Sequence, residues 1–111
     1  MRKRTTAGLI GGALALIGAI ASAEERGVQI RNIEAQDDAY VTIVDRNDHD
    51  RLIVDHYRIN HGETYSVTPV FQSDHTYDLR WHAERTSDGK SKDGECVAQN
   101  TPCDVELYNA R

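Results

Sequence analysis

Residues Thr76-Tyr77-Asp78-Leu79-Arg80-Trp81-His82-Ala83-Glu84 alternate without a break. Tyr77, Leu79, Trp81 and Ala83 are apolar, and the five residues between and around them are polar. A period of two sends successive side chains to opposite faces of an extended chain, so the stretch reads as a half-buried β-strand. Trp81, the single tryptophan, is expected to anchor the core.

Working outward, helical periodicity is hard to find after residue 23, while short runs rich in Val, Ile, Tyr and Thr recur between Asp, Asn, Gly and Ser clusters. Seven strands are expected, at 27–33, 39–46, 50–59, 63–71, 76–85, 95–99 and 103–109. In the fourth, Tyr65, Val67 and Phe71 share one parity, and Pro69 marks a sheet edge or a bulge. Residues 86–95 (TSDGKSKDGE) hold two glycines and no apolar anchor, and read as a mobile loop. No repeat or linker separates a second domain. Seven short strands at this spacing predict a small antiparallel β-sandwich, immunoglobulin-like or transthyretin-like, over residues 24–111.

The N-terminus predicts where the chain goes. Met1-Arg2-Lys3-Arg4 is basic, the next uncharged run (Ala7 to Ile20) is mostly apolar, and Ala21-Ser22-Ala23 offers small residues for cleavage. These are the three parts of a secretory signal peptide, assigned to residues 1–23. As a helix, residues 7–20 would reach only about 21 Å, short of a hydrocarbon core of roughly 30 Å. No membrane span is therefore expected after processing, and the product is periplasmic or secreted. The mature 88 residues hold ten Lys+Arg against eighteen Asp+Glu, a charge of −8. An acidic chain repels nucleic acid and anionic lipid, so neither is an expected partner.

Cys96 and Cys103 are the only cysteines. Six intervening residues fit no common zinc spacing, and export places the thiols in an oxidising compartment, so a disulfide is expected. In the chain-entropy account so short a loop is worth roughly 2.5 kcal/mol. The two cysteines fall on consecutive predicted strands, which reads as a link between neighbours and not as a bridge between two sheets around a tryptophan.

The most chemical-looking stretch is Asp45-Arg46-Asn47-Asp48-His49-Asp50-Arg51, between VTIV and LIV. As a calcium loop it fails: the third alternate position is His49, the turn glycine is replaced by Asp50, and the twelfth position is His56. As a hairpin, a three-residue loop Asn47-Asp48-His49 sets Arg46 against Asp50 and Asp45 against Arg51. It also sets Val44 against Leu52 and Ile43 against Ile53. His49 is then the residue expected at positive φ. In that register Asp55 shares the core face with Ile53 and Tyr57. Either a bulge near Val54-Asp55 turns it outward or it is paired.

Five histidines are present and no H-x-H pair occurs. His56 and His82, with Asp55, are the residues that could converge on copper or zinc. No G-x-S-x-G, H-E-x-x-H, P-loop or dinucleotide-binding glycine pattern is found, both thiols are committed, and no cofactor is called for. The leading expectation is a non-catalytic exported module that binds a protein or cell-envelope component. Ser87, Asp88, Gly89, Lys90, Lys92 and Asp93 form its expected contact loop. The alternative is an exported copper- or zinc-binding protein.

Overall fold

A computed structural model describes residues 26–34 and 36–111, so the expected signal segment 1–23 lies outside the described residues. The chain is all-β: β1 (Val28–Asn32), β2 (Ala39–Asp45), β3 (Arg51–Ile59), β4 (Thr64–Val67), β5 (Tyr77–Arg85), β6 (Ser91–Ala98) and β7 (Cys103–Val105). They form a three-stranded sheet, β4-β1-β7, and a four-stranded sheet, β3-β2-β5-β6. Every pairing is antiparallel except β1 with β7. One buried cluster draws on both sheets, with Ile30, Cys103 and Val105 from the first and Val41, Ile43, Leu79 and Trp81 from the second. Among the described residues no helix is long and apolar enough to cross a membrane.

The alternation in β5 is realised residue by residue. Tyr77, Leu79, Trp81 and Ala83 are buried, and Arg80 and His82 are exposed. The strand lies between β2 and β6 and keeps an unbroken register with each, from Ala39↔Arg85 to Asp45↔Leu79 and from Tyr77↔Ala98 to Glu84↔Ser91. It is one of the two inner strands of the larger sheet.

The β2–β3 connection is a hairpin, with Asp45 opposite Arg51 and Val44 opposite Leu52 as the charge pattern predicts. The turn itself is longer than three residues. Arg46–Asp48 form one 3-10 turn, and His49 and Asp50 both take left-handed φ, 54° and 57°. Arg46 and Asp50 are consequently not paired in the ladder. Beyond Leu52 the register slips twice, so that Ile43 meets Val54 and Val41 meets Tyr57. The second slip accommodates Asp55 and His56, the latter at φ 51°, and leaves Asp55 exposed. An extra residue in one strand is the cheapest way to keep a carboxylate out of the core face.

Three strands differ from the sequence expectation by more than one residue at an end. Strand β4 stops at Val67, because Pro69 has no N–H for a ladder; its ring is fully buried instead. Strand β7 is only three residues long, and Leu107 reaches the core after it has ended. The largest difference is in 86–95: Ser91–Gly94 belong to β6, and only residues 86–90 form the turn. Gly94 is a strand residue because Trp81 lies over it. A Cβ there would meet Cζ2 of Trp81 at 2.2 Å.

Cys96 and Cys103 form a disulfide with Cα atoms 5.5 Å apart. Consecutive in sequence, β6 and β7 belong to different sheets, so the bridge joins the two sheets along one side, contrary to the expectation of neighbouring strands. Replacing both cysteines by serine is expected to cost about 2.5 kcal/mol of stability. Urea unfolding with an unchanged slope would register that cost as a lower midpoint. An unchanged midpoint would show that the cross-link constrains little.

Candidate functional site

The acidic knot is a structural clasp. Asp45 is fully buried, and its two carboxylate oxygens accept from the backbone N–H groups of Asn47 (3.1 Å) and Val70 (2.8 Å). The Asn47 amide donates to the carbonyls of Val70 and Thr76, and Gln72 donates to the Asn47 side-chain oxygen. Hairpin turn and 70–76 segment are thereby fastened together, with the polar groups of the knot turned to that purpose.

Of the predicted site residues, His56, His82 and Asp93 lie instead on the outward face of the four-stranded sheet. Alternation fixes which side chains these are: with Leu79, Trp81 and Ala83 inside, Asp78, Arg80, His82 and Glu84 face out. Tyr40, Thr42 and Val44 of β2 and Asp93 and Glu95 of β6 continue that face. His82 and Asp93 are register partners, and His82 Nδ1 lies 2.7 Å from Asp93 Oδ1. On the far side of β2, the backbone N–H of His56 donates to Thr42 Oγ1 at 3.1 Å. The His56 imidazole stacks on Tyr40 with centroids 4.4 Å apart and planes 8° from parallel.

His56 and His82 thus sit on strands separated by β2, each committed to a different neighbour, and Asp55 stands exposed beside His56. Among the described residues no group of three or more His, Cys, Asp or Glu is arranged to hold a metal ion.

The expected contact loop is a tight, internally bonded hairpin end. Ser87 Oγ donates to Asp37, and the Asp88 carboxylate accepts from Arg85 Nε and from the Lys90 N–H. Gly89 supplies the positive φ, 75°, that closes the turn. Lys92 and Asp93 lie in β6, where Lys92 pairs with Glu106 and donates to the carbonyl of Tyr108.

Several of these local contacts leave a titration signature. The Lys90 N–H chiefly holds the Asp88 carboxyl below its ordinary value, the Arg58 guanidinium does so for Asp38, the Thr76 hydroxyl for Asp74 and the Lys92 ammonium for Glu106. A depressed folded-state pKa contributes stability that is present above the ordinary carboxylate range and is lost as pH falls through the folded values. The expected result is a flat stability profile from neutral pH down to about pH 5, then a decline below about pH 4. Carboxyl NMR titration should find these four groups titrating below the ordinary carboxylate range; midpoints within that range would count against the contacts.

Sequence reading missed Arg80. It is exposed at the middle of the face, in a shallow cleft of about 500 Å³ that it shares with Thr42, Val44, His82 and Asp93. The neighbouring charges are engaged: Arg46 lies 3.8 Å from Asp78 and 3.5 Å from Glu95, and Asp93 is against His82. Among the described residues no carboxylate forms an ion pair with Arg80. The only signal in the sequence was its place as a polar member of the alternating strand.

What fold and face define is a class, a small all-β domain with one disulfide and an open polar sheet face. No family model matches the chain, nor does any curated protein or solved structure.

Proposed function

We propose that the chain is an exported, non-catalytic binding module that engages a protein or another cell-envelope component through the outer face of its four-stranded sheet. The observation that carries this reading is Arg80, an exposed guanidinium in an open cleft with which, among the described residues, no carboxylate forms an ion pair. An uncompensated arginine on a polar face is a natural anchor for an acidic or carbonyl-rich partner group. The disulfide supports export, since such bonds persist in oxidising compartments, and agrees with a cleavable signal at 1–23. The same reading takes residues 24–111 as one immunoglobulin-like or transthyretin-like sandwich and treats Ser87, Asp88, Gly89 and Lys90 as the rim of the contact surface.

The test is cross-linking in the producing cell, with a photoreactive residue at position 42 of the full-length chain. A discrete adduct that disappears in Arg80→Glu, with unchanged thermal stability and an adduct retained in Asp50→Asn, is the expected outcome. Adducts indifferent to Arg80 would dispose of the proposal.

A second reading, an exported copper or zinc binder, draws on the His82–Asp93 contact. A carboxylate on Nδ1 fixes the tautomer and leaves Nε2 as an electron-pair donor. Calorimetric titration with each metal decides it: binding tighter than about 10 μM that is lost in His82→Ala supports the site, and no such binding removes the reading.

A further inference from the structure

The two long sides of the sheet pair are built differently. On one, the disulfide joins edge strands β6 and β7. On the other, the edge strands are β3 and β4, and two tyrosines meet there: Tyr57 of β3 and Tyr65 of β4, with ring centroids 4.5 Å apart and planes tilted by 35°. Tyr57 lies opposite the fully buried Val41 and Tyr65 opposite the fully buried Ile30, so both stand at core-facing register positions. Tyr57 is nonetheless 48% exposed and Tyr65 half-buried. A large aromatic surface is therefore left in water where an ordinary sheet edge would be closed.

A concavity of about 480 Å³ opens on this pair, bordered by Arg58, Gly62, Glu63 and Thr64. Its charges do not cancel. The Arg58 guanidinium is taken by the Asp38 carboxylate and the Asn60 side-chain oxygen. Glu63 uses one oxygen, Oε1, to accept from the Asn60 N–H at 3.2 Å, and among the described residues no cation pairs with it. A Cβ at Gly62 would meet nothing within 4 Å, so the turn beside Glu63 does not obstruct approach.

We infer that this open side is a second binding site, separate from the Arg80 face, and that it takes a guanidinium group presented by an arginine side chain of a partner protein. The guanidinium plane lies against the exposed face of Tyr57, and its N–H groups donate to the unused Oε2 of Glu63. The chemistry selects this ligand over others. An anion meets Glu63 and an acidic chain. A metal ion finds a single carboxylate. An ammonium offers the same charge, but it is more strongly hydrated and has no flat face to lay on the ring. Guanidinium supplies the planar stack and forked donors together.

The test uses the full chain, aromatic and carboxyl NMR, and N-acetyl-arginine amide as the probe, with N-acetyl-lysine amide and N-acetylglucosamine in parallel. Saturable shifts confined to Tyr57, Tyr65 and Glu63 are expected, with a dissociation constant on the order of millimolar. Glu63→Gln retains an acceptor for the Asn60 N–H and should weaken binding about tenfold, the effect of losing one charge-assisted contact. Tyr57→Ser, at an exposed position, should weaken it about fivefold. Arg80→Glu should leave binding intact, so failure here and failure of the sheet-face reading can be told apart. Absence of saturable shifts at about 50 mM probe, indifference to Glu63→Gln, or an equal response to the lysine or sugar probe would each overturn the proposal.

Discussion

Gly94→Ala is expected to destabilise the fold by about 3 kcal/mol or more, although alanine ordinarily improves on glycine within a strand by roughly 0.5–1 kcal/mol. The reversal of sign has one cause. A Cβ at position 94 would sit 2.2 Å from Cζ2, 2.3 Å from Cε2 and 2.8 Å from Nε1 of Trp81, distances that no real contact tolerates. The indole is only 4% exposed and packed in the core, so it cannot swing away without opening a cavity. Urea unfolding measures the loss directly. A double-mutant cycle assigns it, because in a Trp81→Ala background the same Gly94→Ala change has no indole to strike and should be neutral or mildly stabilising. If Gly94→Ala costs the same in both backgrounds, the glycine is needed for some other reason and the account of β6 fails.

The pair also shows what the sequence could and could not disclose. Strand β5 was legible because its alternation is local and strict, and the core position of Trp81 followed from it. Gly94 was not legible. Lys-Asp-Gly-Glu at 92–95 carries an Asp-Gly turn signal, and its reason for being strand lies on the neighbouring chain segment, in a tryptophan thirteen positions earlier. Pairing of Cys96 with Cys103 could be read from number and compartment, but that they belong to different sheets depends on β7 joining β1 in parallel, a long-range choice with no local mark. The hairpin register could be read for two rungs, where opposite charges and apolar residues agreed, and was lost where β3 slips twice. Those slips are what turn Asp55 and His56 outward. The candidate surface suffered most, since Arg80 and the Tyr57–Tyr65 pair acquire meaning only from which neighbours engage or neglect them.

Asp45 carries the second large effect: the hairpin register sets it against Arg51, yet it is fully buried. Its register partner Arg51 pairs with Asp48 instead, while the Asp45 carboxylate serves two backbone N–H groups, of Asn47 and Val70, 23 residues apart in the chain. Asp45→Ala removes both acceptors at once. One orphaned N–H belongs to the hairpin turn and the other to Val70, the residue after the buried Pro69. Both bonds are part-buried, and at roughly 1–3 kcal/mol for each unsatisfied donor the expected loss is about 2–6 kcal/mol. Asp45→Asn keeps the shape but turns an amide N–H₂ toward one of the two donors, so it should recover only about half of that loss. Amide exchange gives a readout separate from global stability: the Asn47 and Val70 N–H groups should lose protection beyond what the lower stability imposes on β5. Should Asp45→Asn match wild type in urea, or both amides stay as protected as the strand, the clasp would hold without the carboxylate. The acidic knot would then again require a ligand to explain it.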